Sequence, residues 1–521
     1  RGRRHRQATP YLLNSPSRHP GGGRLAYQPP SVYVSDTMST RTIVRRLGEI
    51  VGHDNVFDSP EALVAYSYDG TALPPQLPLC VVRPSSAEEV SRIVLLANET
   101  KTPLVPRGSG TGLSGGAIPV EGSVVVLTGH RNRIIEIDAG NLTATVEPGV
   151  ITARLQQAVD AIGFMYPPDP GSASVCTIGG NVAENAGGLR GLKYGVTKNY
   201  VMGLEVVLPT GEILWTGGKS AKDVAGYNLR DVLVGSEGTL GVITKILLRI
   251  IPKPETSRTL LASFPTMESA AAAVSAVVSA RILPAMLEFL DDTTIRCVEA
   301  YAHLGLPTGA GAMLLAETDG HAEVVEKETV LITGIFRECG ATDISLAATP
   351  AESDRLKIAR RSAFTSLARV RPTTLMEDVA VPRSELANLI RKIREIGRRN
   401  DILIGTFGHA GDGNLHPNYL TDEGNPEEFR RAHRTVVEVE EAAIALGGTI
   451  TGEHGVGLYK KPLLEKMVGS ASMTMMRKLK ELMDPNMILN PGKILDCVPR
   501  CEGRLPRSRE QIRKFEDVAW V

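Results

Sequence analysis

The segment PRGSGTGLSGGAIP, residues 106–119, is rich in glycine and lies directly between two apolar runs. Glycine accepts positive φ angles and has no side chain, so successive backbone N–H groups can converge on an anion. Because the segment leaves one predicted strand and soon enters another at residues 123–129, we favour a phosphate-binding loop over a flexible surface loop. The pattern G-x-G-x-x-G at residues 110–115 is not a dinucleotide fingerprint, since no helix pattern follows it and no acidic residue ends a strand about 20 residues later.

Two further glycine-rich segments follow in the same half of the chain. PPDPGSASVCTIGGNVAENAGGLRGLKYG covers residues 167–195, where the prolines predict an extended start and Ser172 and Ser174 offer hydroxyl groups. GSEGTLGVIT, residues 235–244, ends in a predicted strand. Segments of this kind let the backbone approach a flat, polar ligand closely.

The hydrophobic pattern predicts an α+β fold rather than a doubly wound sheet. An amphipathic helix begins after Ser86, a plausible N-cap, in SAEEVSRIVLLANET. Short strands at residues 133–138 and 143–149, a helix that ends at Gly163, and a hairpin that turns at residues 209–211 come next. We therefore predict a first domain at residues 38–254, closed by the prolines of GVITKILLRIIPKP.

Beyond residue 254, predicted helices alternate with strands in a second α+β domain, residues 255–496. The patterns predict helices over SAAAAVSAVVSARILPAMLEFLDD and EVVEKETVLITGIFREC and a strand over AMLLAET. Residues 1–37 are interpreted as a disordered extension, where sequence upstream of Met38 is favoured over a transit peptide. Residues 497–521 are interpreted as a tail.

Length and charge exclude several classes of protein. The 521 residues exceed what one hydrophobic core usually supports, so two or three domains are expected. Basic and acidic residues balance at 58 each, which gives no field for binding nucleic acid or an anionic bilayer. No apolar stretch reaches the roughly 20 residues that cross a bilayer, which predicts a soluble protein without a transmembrane segment. Six scattered cysteines fit a reducing compartment.

Two polar loops, HAGDGNLHPN at residues 409–418 and GEHGVG at residues 452–457, hold three of the ten histidines. His409, His416 and Glu453 can occupy three positions around a divalent cation and leave others open, as in catalytic metal sites. His454 faces substrate if it lies with Glu453 on an extended segment. The alternative, histidines held by structural hydrogen bonds, is disfavoured because three occur together. Asp412 is interpreted as a turn residue rather than a ligand.

The three glycine segments, in this order and spacing, resemble those of the FAD-linked oxidases of the vanillyl-alcohol-oxidase and para-cresol-methylhydroxylase type. The resemblance is greatest to the branch of D-lactate dehydrogenases, glycolate oxidase large subunits and D-2-hydroxyglutarate dehydrogenases, and it covers residues 40–496. It implies a two-subdomain FAD-binding domain of the PCMH type, a cap domain that holds the substrate, and a C-terminal return to the flavin through DPNMILNPGKIL, residues 484–495.

By this resemblance the first glycine segment wraps the FAD pyrophosphate, the second lines the adenosine and isoalloxazine, and GVIT lies against the adenine. Some relatives attach FAD through a histidine after R-G-x-G, but that position is Thr111 here, which implies non-covalent FAD. The residues implied in cofactor binding are Pro106, Arg107, Gly108, Ser109, Gly110, Thr111, Gly112, Gly115, Gly116, Pro168, Asp169, Ser172, Gly179, Gly180, Asn181, Ala183, Asn185, Gly188, Gly241, Val242, Ile243 and Asn490.

The same branch uses a divalent ion, zinc in some members and iron or manganese in others, to hold a 2-hydroxy acid. The resemblance implies that His409, His416 and Glu453 are the ligands and that His454 is the general base. It implies that Asn418 contacts the substrate.

Arg360 falls where the family carries an arginine that binds the substrate carboxylate, although the neighbouring Arg361 leaves the register open. Relatives that act on dicarboxylates carry Thr and Lys contacts downstream, where this chain has Phe364 and Met376. This difference argues against a second substrate carboxylate.

The implied reaction is oxidation of a small D-2-hydroxy acid, D-lactate or glycolate, to the 2-keto acid, with hydride transfer to flavin N5 and metal-assisted loss of the hydroxyl proton. A metallohydrolase would leave the glycine segments unexplained, but a flavin-binding electron-transfer subunit and an aromatic-alcohol oxidase stay open. The expected electron acceptor is a quinone, a cytochrome, an electron-transfer protein or oxygen. A homodimer or an iron–sulfur partner subunit is expected. The expected location of the protein is the cytoplasm, with peripheral attachment to the inner membrane or a mitochondrial location as alternatives.

Overall fold

The structure is a computed structural model that describes residues 39–496. The interpretations of residues 1–37 as an extension and of residues 497–521 as a tail lie outside the described residues. Among residues 39–496, every helix is too short or too polar to cross a lipid bilayer. The helices are α1 Thr40–Val51, α2 Pro60–Val64, α3 Ala87–Thr100, α4 Thr152–Asp160, α5 Ile178–Glu184, α6 Gly191–Tyr194, α7 Leu229–Leu233, α8 Met267–Ser279, α9 Asp292–Ala302, α10 Ala322–Glu338, α11 Pro350–Arg361, α12 Ala363–Leu367, α13 Leu386–Arg399, α14 Pro426–Ala445, α15 Lys461–Val468 and α16 Ser470–Met483.

The first sheet carries the first glycine segment between two parallel strands. Its strands are β1 Val56–Phe57, β2 Cys80–Val82, β3 Leu104–Arg107 and β4 Val124–Leu127, in the order β1-β2-β4-β3. The glycine loop leaves β3 and enters β4 without an intervening helix, as the sequence predicts. Helix α3 begins as predicted, because the hydroxyl of Ser86 accepts a hydrogen bond from the Glu89 N–H at 3.2 Å.

The second sheet is antiparallel and lies in the same half of the chain. It comprises β5 Ile134–Asp138, β6 Thr143–Val146, β8 Val201–Val207, β9 Ile213–Gly217 and β10 Val242–Arg249, while β7 Phe164–Met165 pairs with β11 Ile251–Pro252. The hairpin predicted around residues 209–211 is confirmed by the pairing of β8 with β9. Helix α4 ends at Asp160, three residues before the predicted end at Gly163.

The third sheet organises the second half of the chain. Its strands are β12 Thr256–Phe264, β13 Met286–Asp291, β14 Ala312–Gly320, β15 Asp343–Leu346, β16 Thr373–Met376, β17 Val379–Ala380, β18 Leu403–His409 and β19 Asn414–Thr421. Helices α8, α10, α13 and α14 pack on one face, and α9, α11 and α12 pack on the other. The fold confirms the α+β prediction. Since the chain passes from the second sheet to the third between Arg249 and Thr256, we propose the domain boundary near residue 254.

One predicted helix is partly wrong. Residues 267–279 form α8, but the continuation through MLEFLD is the strand β13. Pro284 precedes this strand, and all six of its residues are buried between β14 and β18. A strand buried on both faces has a continuous apolar pattern, which periodicity cannot distinguish from a buried helix.

The C-terminal segment, which by the resemblance returns to the flavin, contacts the first sheet and the first glycine segment. The N–H of Asn490 donates to the Leu104 carbonyl at 2.7 Å, and its side-chain amide donates to the carbonyls of Gly116 at 2.9 Å and Glu237 at 2.7 Å. The return thereby ties the first and third glycine segments together.

The aromatic pair Phe264 and Phe336 in the core of the third sheet gives a test of this packing. Their rings meet edge to face, with centroids 5.7 Å apart, and both are fully buried. We expect Phe336→Ala to destabilise the protein by about 3–5 kcal/mol because it leaves a cavity. Val330→Ala on the same helix, where the side chain is 61% exposed, should change stability by less than about 0.5 kcal/mol. Equal urea midpoints for the two variants would contradict this packing.

Candidate active site

A cavity of about 500 Å³ lies between the two halves of the chain. One side is formed by the three glycine segments, and the other by side chains of β18, β19 and α11. His409, His416, Glu453 and His454 all line it. The structure therefore brings together two groups of motifs that are separated in the sequence by more than 160 residues.

The loop after β3 presents unpaired backbone donors to this cavity. In the part of the chain that the structure describes, the N–H groups of Gly110, Thr111 and Gly112 donate to no protein acceptor. Gly110 has a φ angle of 72°, and a Cβ there would overlap the guanidinium of Arg107. A run of free N–H groups on a glycine loop is suited to the oxygens of a phosphate.

Most of the cofactor residues implied by the resemblance line the cavity. They are Pro106, Arg107, Gly108, Ser109, Gly110, Thr111, Gly112, Gly116, Ser172, Gly179, Gly180, Asn181, Ala183, Gly241, Val242 and Ile243. The wall also includes Cys176, Glu184 and Glu237, which the sequence did not single out. Burial raises the pKa of Glu237 to about 7, although its carboxylate accepts the N–H groups of Val456 and Gly457.

Six of the implied cofactor residues do not line the cavity: Gly115, Pro168, Asp169, Asn185, Gly188 and Asn490. Several of them shape its wall instead. Asn185 ends α5 in the left-handed conformation and accepts a hydrogen bond from the Lys198 N–H at 2.9 Å. Gly188, with φ of 132°, allows the Asp169 carbonyl to approach where a Cβ would stand. Asn490 holds the first and third glycine segments from behind.

The cavity fits FAD on two observations. Its glycine wall leaves three N–H groups for phosphate oxygens, and a Cβ at Gly112 would meet only Glu184, at 3.7 Å. Within 4 Å of that Cβ position, Glu184 is therefore the one side chain of the described residues. An elongated ligand with an anionic centre matches such a wall.

The histidine site is built on the hairpin of β18 and β19. His409 Nε2 lies 3.2 Å from Glu453 Oε1, and His416 Nε2 lies 3.4 Å from the same oxygen. The two imidazole rings meet edge to face with centroids 5.1 Å apart. One ligand atom from each of these three residues lies within 4.8 Å of the others, which is the spacing of a shared divalent ion.

The loop that carries Glu453 is fixed by the buried side chain of Asp378. One oxygen of this carboxylate accepts the Thr451 hydroxyl at 2.9 Å and the N–H groups of Gly452, Glu453 and His454 at 2.8–2.9 Å. The other oxygen accepts the side-chain amide of Asn414. The loop bends around this carboxylate, so Glu453 and His454 do not lie on an extended segment, the condition under which the sequence predicts that His454 faces the substrate.

Asp378 belongs to a second group of possible ligands, with His416 and His454, within the same 4.8 Å limit. Its oxygens are already occupied by five donors, and it does not line the cavity. Carboxylates saturated in this way orient neighbouring groups rather than ligate. The set of His409, His416 and Glu453 is therefore the better candidate metal site.

The charged forms of the candidate ligands His409 and Glu453 stabilise each other. Burial opposes the charge on His409, but Glu288 and Glu453 hold the pKa of His409 well above its ordinary value. Burial also opposes the charge on Glu453, but His409 and His416 hold the pKa of Glu453 well below its ordinary value. Burial lowers the pKa of His454 to about 4. Its ring stacks on that of His416 at 5.1 Å.

The other predicted site residues differ in whether they line the cavity. Arg360 lines the cavity, lies over the ring of Phe407 at 4.5 Å and pairs with Glu288 at 2.6 Å. Asn418 is fully buried next to His416, donates to the His416 carbonyl at 2.7 Å and does not line the cavity. The structure thus does not bring Asn418 to the substrate side. Asp412 has an oxygen 3.3 Å from the Asn414 N–H, as expected of a turn residue.

Sequence reasoning missed two acidic residues, Glu288 and Asp378. Glu288, fully buried on β13, lies 2.8 Å from His409 Nδ1 and 2.6 Å from Arg360 Nε. It thereby orients one candidate ligand and one candidate substrate contact. Glu288 stands in the apolar, strand-like run MLEFLD, and Asp378 stands in MEDVAV. Because buried acids without partners are rare, an acid within such a run was the sequence signal that could have identified both residues.

Gly112 allows a direct test of the glycine wall. The variant Gly112→Val should keep its fold, since a Cβ meets only Glu184, but should place methyl groups in the cavity. We expect FAD affinity to fall on the order of tenfold or more, about 1.4 kcal/mol, measured by flavin absorbance after dialysis. Gly309→Val, at a loop glycine where a Cβ has no neighbour within 4 Å, is the control. Full FAD retention in Gly112→Val would refute the placement.

The chain is similar in sequence to known FAD-binding proteins. Residues 78–217 match the family described as FAD binding domain, and residues 253–494 match FAD linked oxidases, C-terminal domain. The chain is 50% identical over 457 residues to glycolate oxidase subunit GlcD of Bacillus subtilis, covering 88% of this chain and 97% of that protein. It is 37% identical over 429 residues to D-lactate dehydrogenase of Anaerostipes hadrus, covering 80% and 89%.

The solved structure of p-cresol methylhydroxylase with substrate bound has the same fold, with a TM-score of 0.73 at 20% identity over 87% of this chain and 96% of that one. The family resemblance and the fold class predicted from the sequence are confirmed. The chain accordingly has an FAD-binding domain and is an oxidoreductase that belongs to the FAD-linked oxidase family.

Proposed function

We propose that the protein oxidises a small D-2-hydroxy acid, glycolate or D-lactate, to the 2-keto acid. The observation that carries this proposal is the placement of His409, His416 and Glu453 on the wall of the FAD cavity. The names of the relatives, glycolate oxidase subunit and D-lactate dehydrogenase, support the same substrate class. Bound FAD supplies the two-electron acceptor that such an oxidation requires.

A divalent ion fits the three proposed ligands. Two imidazoles and one carboxylate on a cavity wall suit zinc, and iron or manganese are alternatives with the same donors. An ion at this site would supply Lewis acidity, which lowers the pKa of a bound hydroxyl group. Glu288 assists because its contact with His409 Nδ1 leaves His409 Nε2 facing Glu453.

His454 is proposed as the base that takes the hydroxyl proton. It lines the cavity, its ring is held parallel to that of His416, and its backbone is fixed by Asp378. In the described part of the chain, its Nδ1 has no hydrogen-bond partner although it is buried. A positioned, unpartnered imidazole beside the substrate is suited to general base catalysis.

Arg360 is proposed to hold the substrate carboxylate. Glu288 fixes the guanidinium through Nε, and the remaining donors of the fork are suited to a second carboxylate. Phe364 and Met376 line the same cavity. These neutral side chains favour an acid with a single carboxylate and a small side chain.

Anaerobic mixing with a panel of D- and L-2-hydroxy acids tests the proposal. We expect glycolate or D-lactate to bleach the flavin absorbance and L-lactate to bleach it far more slowly. A yellow protein that no 2-hydroxy acid bleaches would favour an electron-transfer subunit. Bleaching by benzylic alcohols alone would favour an aromatic-alcohol oxidase.

The ligand assignment predicts separate losses of metal and flavin. His409→Ala, His416→Ala and Glu453→Ala should each lose bound metal and turnover but retain FAD, because other segments hold the flavin. His321→Ala, at a histidine whose side chain is 90% exposed, is the matched control. Elemental analysis and flavin absorbance measure both cofactors, and unchanged metal content in the three variants would rule out the ligand set.

The assignment of His454 as the base predicts a result different from that expected for the three metal ligands. His454→Ala should retain metal and FAD but react about 10²- to 10⁴-fold more slowly, the usual contribution of a general base. His454→Gln serves as a second variant that preserves side-chain size. The rate of anaerobic flavin reduction is the measurement, and wild-type rates in both variants would show that another group takes the proton.

A further inference from the structure

A second cavity, of about 490 Å³, lies beside the active site. Its walls come from α4, β7 and the start of β12, and they include Tyr166, Arg190 and Asp319. Arg361, the last residue of α11, lines this second cavity and also the FAD cavity. Arg361 is therefore a wall residue of both cavities.

Most acidic groups of the second cavity are already paired. Asp160 pairs with Lys253 at 2.6 Å, Glu317 pairs with Lys357, and Asp319 pairs with Lys193 and accepts the Tyr194 hydroxyl at 2.7 Å. Glu255 lies 3.3 Å from His321. Asp160, Glu317 and Asp319 contribute little net attraction for a cation, since lysine side chains compensate their charges, whereas His321 compensates Glu255 only when it is protonated.

Two guanidinium groups of the same cavity have no acidic partner. Within residues 39–496, Arg361 forms no ion pair or hydrogen bond, and Arg190 contacts only the Met165 sulfur, at 3.4 Å. Asp169 is the one carboxylate of this wall that is likewise without a partner in the described chain. The charges of this wall without a compensating lysine are therefore two guanidinium groups and the carboxylate of Asp169, with Glu255 as a second carboxylate when His321 is neutral.

We propose that the second cavity is the entrance to the active site and that Arg361 captures the carboxylate of the incoming hydroxy acid. This inference rests on the proposed function. A free guanidinium in a cleft can hold a carboxylate through two parallel hydrogen bonds. Consecutive arginines then have different tasks, because Arg360 is held by Glu288 inside the active site while Arg361 is exposed and free at its threshold.

Another explanation of Arg361 is a solvated cation in the last turn of a helix, where positive charge is favourable. The two explanations differ in what they predict for substrate capture. Only the capture role makes the entry of an anion depend on this side chain and on ionic strength.

Stopped-flow reduction of the FAD-loaded protein by glycolate and D-lactate distinguishes the two explanations of Arg361. In Arg361→Gln, the second-order rate constant of bleaching should fall about tenfold, with a weaker dependence on salt, because electrostatic guidance is lost. The limiting rate at saturating acid should stay unchanged, and Arg361→Lys should recover part of the loss. Arg355→Gln makes the same charge change on the same helix outside both cavities and should behave as wild type.

A second-order constant in Arg361→Gln equal to that of Arg355→Gln would overturn the inference while the proposed function stands. A fall confined to the limiting rate would also overturn it, because Arg361 would then act at the reacting centre. If no hydroxy acid bleaches the wild-type protein, the proposed function fails. Oxalate titration, followed by the flavin spectrum, then decides the inference: weaker binding in Arg361→Gln supports anion capture, and equal binding overturns it.

Discussion

The site depends on the buried carboxylate of Asp378. It fixes the backbone of residues 452–454 through three N–H groups, and its other oxygen lies 3.6 Å from His416 Nδ1. One acidic side chain thus fixes the backbone of Glu453 and His454 and lies next to the ring of His416. Lys460 closes the far end of the same loop by donating to the carbonyls of Ile450 and Asp378 at 2.8 and 3.0 Å. A loop fixed at both ends is suited to a site that must keep its geometry during turnover.

The same loop is joined to the flavin half of the chain. Glu237, at the third glycine segment, accepts the N–H groups of Val456 and Gly457 at 2.7 Å each. Asn490 binds the carbonyl of that same Glu237 and the carbonyl of Gly116. These contacts couple the two halves directly, so the metal candidates hold a constant position relative to the glycine wall. Such coupling is what an oxidation at a fixed substrate carbon requires.

Much of this arrangement could be predicted from the sequence, for reasons that particular residues make clear. Ser86 and the glycine loop are local signals, and His409, His416 and Glu453 stand out because ligand types are concentrated in polar loops. Residues 286–291 were assigned wrongly because a fully buried strand has no distinguishing period. Glu288 was lost with that strand, and Asp378 was missed because its partners are backbone groups some seventy residues away. Asn418 shows the reverse case. It lies close to the candidate ligand His416 in sequence, but its side chain donates to backbone carbonyls of its own strand and of the neighbouring strand.

We propose that metal and flavin act on one substrate in one cavity. The most direct test of this proposal is single-turnover reduction of FAD-loaded protein that has been stripped of metal by a chelator and dialysed. We predict that glycolate or D-lactate bleaches this protein at least about 10²-fold more slowly than the untreated protein, because the aid to hydroxyl deprotonation is lost. Addition of one equivalent of zinc, manganese or ferrous ion should restore the rate. Full-rate bleaching by protein shown to contain no metal would contradict the account.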